Sequence, residues 1–297
     1  MAQPRDLSPS ASPSPSPSLT WEERDVPAGG RRLHLRLAHG AAPAGRPLLL
    51  VHGLGASGAV WQALARRLVA GGAGAPGRAP IAPDLPGHGE SEPPAGGAAG
   101  YSPEALAGAL VGALDALGVA QAPVVGHSLG ALVALALVVH APHRVPAAVL
   151  LDPPLDAGRR NPEVAEVYRL RDGPPGALEA YLTASTGSPL AARALAPIFR
   201  RADEAVYRTY LDAPPGAPWA WAEAPHVAAP VLVVQADPAA GGVLGDEAAE
   251  GFVARLPRGQ LLRLPGARHA VHASHPGEVA RAILEFLSVT DAQNGMA

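Results

Sequence analysis

Short apolar runs alternate with longer, helix-like stretches from residue 19 onward. Uniformly apolar runs are typical of strands buried on both faces, and helices between such strands cover the two faces of a parallel sheet. The predicted strands lie at residues 31–37, 47–51, 79–82, 122–125, 147–151, 231–235 and 260–263, with a weaker one near 19–26. The predicted helices between them lie at 59–69, 103–117, 129–139, 247–256 and 276–287. The pattern predicts an α/β fold with a mostly parallel, doubly wound sheet of about eight strands.

The alternation stops after the sixth predicted strand. Helical patterns without a buried strand follow, at residues 162–171, 176–185, 189–200 and 202–211. We therefore predict a helical cap at 153–230, inserted into a core made of 19–152 and 231–288. Most of the tyrosines and tryptophans fall in this insertion. Such aromatic residues are expected in a lid that lines an apolar pocket, and equally in a small helical subdomain with its own core.

Composition narrows the chemistry. The 297 residues are 48% apolar and 16% charged, enough for a large core, and they include no cysteine. Every basic residue is an arginine, which excludes mechanisms that need a Schiff-base or P-loop lysine. The net charge of −3 offers no basic excess, so we expect no nucleic-acid partner.

The two ends of the chain differ in composition from the rest. Residues 1–18 alternate serine and proline and predict a disordered tail, and 289–297 predict a short C-terminal tail. The first residues carry no apolar run of the kind found in a secretory signal, so we expect a cytoplasmic location. The longest apolar stretch, 129–139, is too short to cross a bilayer, so we expect no membrane partner.

Ser128 lies in the sequence Gly-His-Ser-Leu-Gly, directly after a predicted strand and directly before a predicted helix. This context is typical of a nucleophile elbow, a turn so sharp that side chains two residues either side of the serine would clash. Gly126 and Gly130 occupy those two positions. The hydroxyl of Ser128 is thus predicted at the top of the sheet, with the Leu129 amide placed to stabilise negative charge on a substrate oxygen.

A second oxyanion donor is expected in the loop after another predicted strand. His52-Gly53-Leu54-Gly55 follows the apolar run 48–51, and the Leu54 amide is the candidate. The alternative is an ordinary glycine-rich turn in which His52 is a structural hydrogen-bonding residue.

These motifs resemble those of the α/β-hydrolase fold family over about residues 20–288. Residues 84–91, Asp-Leu-Pro-Gly-His-Gly-Glu-Ser, are similar to a family loop that shapes the site without taking part in catalysis. The segment Gly-Ala-Arg-His ending at His269 resembles the family's segment that carries the general base. The strand and loop reaching Asp237 resemble those that carry the family's acid. The resemblance therefore implies a serine hydrolase of this fold, with Ser128, His269 and Asp237 as its catalytic residues.

The residues themselves support a histidine base, since a serine near neutral pH needs an imidazole within hydrogen-bond reach. Asp152, at the end of another predicted strand, is the alternative acid, because some family members take their acid from that strand. His269, His272 and His275 lie three residues apart, but without a clear helix or a further ligand set they are a weak match to zinc, and we expect no metal.

Together these residues predict cleavage of an ester-type bond (carboxylic ester, thioester or lactone) in a small, largely apolar substrate through an acyl-enzyme. The alternatives are a carbon-carbon bond hydrolase or perhydrolase of the same fold, a non-catalytic small-ligand-binding member, and an acyltransferase. We expect no cofactor and a small-molecule substrate as the partner. Arg169, Arg171, Arg200 and Arg201 would meet a substrate carboxylate only if they faced the cavity. The sequence leaves the oligomeric state open.

Overall fold

One twisted sheet forms the centre of the protein. The structure, a computed structural model, describes residues 19–39, 46–72, 75–156, 162–213, 217–293 and 295, and for residues 162 and 163 only the backbone. The described residues contain eight strands: β1 Thr20–Ala28, β2 Arg31–His39, β3 Arg46–Val51, β4 Arg78–Pro83, β5 Val124–His127, β6 Ala148–Leu151, β7 Val231–Ala236 and β8 Gly259–Leu264. Their order across the sheet is β1-β2-β4-β3-β5-β6-β7-β8. β1 and β2 are antiparallel to their neighbours, and all other pairs are parallel.

Helices cover both faces of the sheet, which confirms the predicted doubly wound α/β fold. The helices outside the insertion are α1 Gln62–Ala70, α2 Pro103–Ala116, α3 Leu129–His140, α9 Asp246–Val253, α10 Val271–Ser274 and α11 Pro276–Gln293. One face packs mainly against α1 and α11, and the other against α2, α3 and α9. β5 and β6 are buried along their whole length, as expected for strands with helices on both sides.

Five helices separate β6 from β7. They are α4 Pro162–Arg171, α5 Ala177–Thr186, α6 Pro189–Arg201, α7 Glu204–Asp212 and α8 Pro218–Glu223. The insertion has a small core of its own, which includes Leu178, Leu182 and Ala196. Asp203 attaches the insertion to the main body, because its amide donates to the Gly87 carbonyl at 2.8 Å and its carboxylate accepts from the Tyr101 hydroxyl at 2.5 Å.

Several element boundaries differ from the predicted ones. The segment predicted as helix from residue 59 begins as a short 3₁₀ turn, Gly58–Trp61, before α1. α8 was not predicted, because its six residues are too few to show a period. The last helix continues to Gln293 instead of ending at 287, so residues 289–293 are helical and not a tail. The predicted N-terminal tail, residues 1–18, lies outside the described residues, and no helix within them is both long and apolar enough to cross a bilayer.

The extension of α11 is held by a buried ion pair. The Asp291 carboxylate accepts from the Arg78 guanidinium at 2.7 Å and pairs with Arg46 at 2.8 Å. Arg78 is 2% exposed and Asp291 5%, so the charges depend on each other for stabilisation. This contact fixes the C-terminal end of α11 against the start of β4.

Asp291→Asn should lower the free energy of unfolding by about 3 kcal/mol, because it leaves a buried guanidinium without its counter-charge. Urea denaturation monitored by circular dichroism measures the change. Glu285→Gln, on the exposed side of the same helix, is the matched control and should change stability by less than about 0.5 kcal/mol. Equal stabilities of the two variants would contradict a structural role for the pair.

Candidate active site

Ser128 lies in a strained turn between β5 and α3. Its backbone angles are φ 53° and ψ −118°, a left-handed φ that residues other than glycine rarely adopt. The flanking glycines have no room for a side chain, because a Cβ on Gly126 would overlap the Gly130 carbonyl and one on Gly130 would overlap the Val51 carbonyl. The turn therefore has the geometry of a nucleophile elbow, which presents the hydroxyl above the sheet edge.

The two predicted oxyanion residues belong to segments that adjoin Ser128. The Ala131 amide donates to the Ser128 carbonyl at 2.9 Å, so Leu129 is at the first helical position, where an amide has no carbonyl of the preceding turn to bond. From the other side, the loop after β3 passes directly against the serine: a Cβ atom placed on Gly53 would lie 3.3 Å from the Cβ of Ser128. Leu54 follows Gly53 and lines the same cavity as Ser128. Leu129 therefore directly follows the serine and Leu54 lines the same cavity, and their role as oxyanion donors stays a prediction.

His52 connects two loops beneath the site. The Leu85 amide donates to its Nε2 at 2.9 Å, so the ring proton is on Nδ1, which donates to the Gly53 carbonyl at 2.8 Å. The side chain is fully buried, and burial lowers its pKa to about 4. His52 is therefore a neutral structural bridge between the loop after β3 and the loop after β4.

The loop at residues 84–91 is organised around the Asp84 carboxylate. One carboxylate oxygen accepts from the Gly58 amide at 2.7 Å and the other from the Glu90 amide at 2.9 Å. The Ser91 hydroxyl donates to the Asp84 carbonyl at 2.6 Å. Asp84 is fully buried and does not line the cavity, which agrees with a shaping role for this loop.

His269 and Asp152 form a buried hydrogen bond. The distance from His269 Nδ1 to the Asp152 carboxylate is 2.7 Å, and their side chains are 8% and 0% exposed. Asp152 directly follows β6, and its carboxylate also accepts from the Val243 amide at 2.9 Å and the Ala236 amide at 3.3 Å. These donors fix the position of the carboxylate beside the imidazole.

The prediction that Asp237 is the partner of His269 is wrong for this structure. The Asp237 carboxylate instead accepts from the Gly266 amide and the Ala239 amide, both at 2.8 Å. These hydrogen bonds lower the pKa of Asp237, and the bond from the Gly266 amide has the larger effect. The physical reason is that β7 ends at Ala236 and the chain turns at once into the 3₁₀ turn Pro238–Ala240, which keeps Asp237 at the surface. Asp152, the alternative acid predicted from the sequence, is the carboxylate that bonds to His269.

His127 packs against His269, and His272 packs against His127; neither was predicted as part of the site. The His127 ring lies 4.6 Å from that of His269, and its Nε2 donates to the His269 carbonyl at 3.0 Å. The His272 ring lies 4.6 Å from His127 on another side. Burial lowers the pKa of His127 well below its usual value and that of His272 to about 3. The sequence feature that could have identified His127 was its position directly before Ser128 in the elbow.

The three histidines near residue 270 do not form a metal site. His275 points elsewhere, with its Nδ1 3.0 Å from the Ser274 hydroxyl. Among the residues that the structure describes, no group of three or more histidines, cysteines or carboxylates is arranged to bind a metal ion.

Ser128 and His269 open into one cavity of about 370 Å³. Apolar side chains form most of its wall, including Leu182 and Phe199 of the insertion, and the described residues that line it include no Asp, Glu or Arg. The four arginines considered from the sequence lie elsewhere. Their partners are Glu166 for Arg169, the Arg200 carbonyl for Arg171, Glu179 for Arg200, and Glu90 for Arg201.

An eight-stranded sheet of this order, with a nucleophile elbow and a buried Asp-His pair at one edge, defines the α/β hydrolases. A family model described as the alpha/beta hydrolase family matches residues 48–282, and the chain belongs to that family. The 2-hydroxymuconate semialdehyde hydrolase of Pseudomonas sp. strain CF600 is 37% identical over 162 residues, which cover 50% of this chain and 53% of that protein. The chain spans about half the length of the curated relatives it matches.

Solved structures share the fold over nearly the whole chain. The enol-lactonase from Burkholderia xenovorans LB400 aligns with a TM-score of 0.73 at 21% identity, covering 89% of this chain and 100% of that one. A thermophilic esterase from Thermogutta terrifontis aligns with a TM-score of 0.71 at 23% identity, covering 91% and 99%. At sequence identities of 21% and 23%, these structural similarities show a shared fold.

The buried histidines make stability depend on pH. His52, His88, His127 and His272 have pKa values lowered by burial, to about 4 for His52 and about 3 for His88 and His272. The unfolded chain protonates these imidazoles near pH 6.5, so between pH 6.5 and about 4 it binds more protons than the folded protein. The free energy of unfolding should therefore fall as the pH falls through this window, by up to roughly 1.4 kcal/mol per pH unit for each histidine.

Urea denaturation at pH 7.5, 6.5 and 5.5 measures this dependence. His88→Asn should make it shallower by about one proton, because the amide replaces the imidazole that donates to the Pro86 carbonyl. His143→Asn, at an exposed position, is the control and should leave the slope unchanged. A stability that does not change from pH 7.5 to 5.5 would contradict the burial of these neutral rings.

Proposed function

We propose that this protein is a serine hydrolase that cleaves an ester-type bond of a small, neutral, largely apolar substrate through an acyl-enzyme. The observation that carries the proposal is the combination of a serine in a strained elbow with a histidine bonded to a buried carboxylate, both open to one apolar cavity. Such a histidine has its Nε2 directed away from the carboxylate and available to a hydroxyl.

In the proposed mechanism, His269 Nε2 removes the proton of the Ser128 hydroxyl as the oxygen attacks the substrate carbonyl. The Leu54 and Leu129 amides stabilise the negative charge that develops on the carbonyl oxygen. Asp152 keeps the His269 ring in the tautomer protonated at Nδ1 and stabilises the imidazolium. His269 then donates its proton to the leaving group. In the second half, His269 activates a water molecule that releases the acyl group and restores Ser128.

The lining of the cavity supports a neutral substrate. None of the described residues that line the cavity carries a guanidinium to pair with a buried carboxylate, and burial of an unpaired charge is strongly unfavourable. A volume of about 370 Å³ is at the small end of the range for ligand sites. The wall contributed by α5 and α6 makes the insertion a cap over the site, so its tyrosine and phenylalanine side chains both fill its own core and face the cavity.

Carbon-carbon bond hydrolysis is the second candidate, because the relative from Pseudomonas is a 2-hydroxymuconate semialdehyde hydrolase. A muconate carries a carboxylate, which needs a cation or several hydrogen-bond donors to bind in an apolar cavity. Arg169 and Arg200 of the insertion are paired outside the cavity, so the lining that the structure describes favours an ester over an anionic ketone.

The test is hydrolysis of p-nitrophenyl butyrate beside that of the matched anionic half-ester, p-nitrophenyl hydrogen succinate. We expect the neutral ester to have the higher kcat/KM by at least about tenfold, since the anion must lose its hydration without gaining a cation. Ser128→Ala should lower kcat on the order of 10⁴-fold and abolish labelling by a fluorophosphonate. Ser288→Ala, on α11 and away from the cavity, is the control and should retain both.

Labelling at Ser128 with cleavage of a muconate-type ketone and not of esters would favour the second candidate. Neither turnover nor labelling, with retained binding of apolar ligands, would identify a non-catalytic member of the family and contradict the proposal.

A further inference from the structure

His272 is a polar residue of the cavity that the proposed reaction does not use. It lies on α10 and is 4% exposed, and its ring lines the cavity that contains Ser128. The Trp61 ring lies 4.7 Å away on one side and the His127 ring 4.6 Å away on another. These two contacts hold the imidazole in one orientation.

The hydrogen-bonding capacity of this ring is unused within the described part of the protein. Nδ1 is fully buried and has no hydrogen-bond partner among the described residues. No hydrogen bond joins Nε2 to a described residue, and Nε2 is not among the fully buried unpaired atoms, so of the two ring nitrogens it is the one able to reach the cavity that His272 lines. An imidazole fixed in this way can bond a group that enters the cavity.

The charge state of the ring limits what that partner is. Burial, assisted by repulsion from His269, lowers the pKa of His272 to about 3, so the imidazole is neutral at physiological pH. A neutral imidazole has one N–H donor and no positive charge with which to bind a carboxylate. The adjacent lining residues Ala270 and Ala273 are apolar, and the polar neighbours His127 and His269 already bond the His269 carbonyl and Asp152, so His272 is the histidine of this part of the wall without such a bond among the described residues.

We propose that His272 is a specificity-determining residue that donates a hydrogen bond from Nε2 to a neutral acceptor oxygen of the substrate, such as an ether, ketone or amide oxygen in the chain attached to the scissile carbonyl. The inference rests on the proposed function and narrows it: the substrate is an ester or lactone with an otherwise apolar chain that carries one such oxygen. A donor held at a fixed place in a mostly apolar pocket selects for the position of an acceptor along the chain.

The experiment moves an oxygen along a chain of constant length. The substrates are p-nitrophenyl hexanoate and three analogues in which an ether oxygen replaces the methylene at position 3, 4 or 5. Each kcat/KM is divided by the rate of hydroxide hydrolysis of the same ester, which removes differences in carbonyl reactivity. The readout is the normalised ratio of each ether analogue to hexanoate.

Three variants separate hydrogen bonding from packing. His272→Phe keeps an aromatic ring between Trp61 and His127 but removes both nitrogens. His272→Gln keeps a side-chain N–H donor. His275→Phe, three residues further on and outside the cavity lining, is the matched control. Melting temperature and fluorophosphonate labelling of Ser128 confirm that each variant is folded and has an intact elbow.

We expect the wild-type ratio to peak at one of the three oxygen positions. His272→Phe should lower that peak on the order of tenfold, as loss of one neutral hydrogen bond would. His272→Gln should retain part of the peak and His275→Phe all of it. A purely structural role for His272 would change all four substrates alike and leave the ratios as they are.

Equal ratios at every position in the wild-type protein would overturn the proposal without any variant, and so would a peak that survives in His272→Phe. If His272→Phe does not fold, loss of the peak in His272→Leu with retention in His272→Gln decides the question in the same way. Failure of the wild-type protein to hydrolyse any of the four esters or to label at Ser128 would instead reject the proposed function itself, and this inference with it.

Discussion

The hydrogen bond between Asp152 and His269 joins two loops that are far apart in the chain, and the arrangement of the site depends on it. Asp152 follows β6, and its carboxylate accepts from amides of the last residue of β7 and of the segment that follows this strand. A carboxylate buried to this extent is stable only when such donors and a charged or polar partner surround it. The same contact sets the orientation of the His269 ring, and therefore the direction of its Nε2 in the proposed mechanism.

The surrounding residues restrict the two loops further. His127 donates to the backbone of His269, so the residue directly before Ser128 positions the loop that carries His269. His52 performs a similar role between the loop of Leu54 and the loop after β4. Both imidazoles are buried and neutral, which allows them to bond backbone groups without bringing charge into the cavity. As a consequence, the free energy of unfolding should fall in acid, because unfolding exposes imidazoles that bind protons.

Much of this arrangement followed from the sequence. The hydrophobic periodicity predicted the sheet and its helices, and the flanking glycines predicted the elbow at Ser128. These features depend on residues close together in the chain. The choice between Asp152 and Asp237 did not follow, since both end a buried strand and only the path of the chain after Ala236 decides which carboxylate reaches the histidine. Asp152 itself has a φ of 43°, a local strain that no sequence pattern revealed. Likewise, the sequence did not reveal that His272 Nδ1 is buried without a hydrogen-bond partner among the described residues, because this depends on residues that are distant in the chain.

The most direct test of the account compares Asp152→Asn with Asp237→Asn, using kcat/KM for a neutral p-nitrophenyl ester. An amide at residue 152 can no longer accept from Nδ1 as a charged group and favours the wrong tautomer of His269, so activity should fall on the order of 10⁴-fold. Asp237 bonds only the amides of a surface turn, so its variant should keep activity within a few-fold of the wild-type protein. The reverse order, with Asp152→Asn active and Asp237→Asn inactive, would contradict the account.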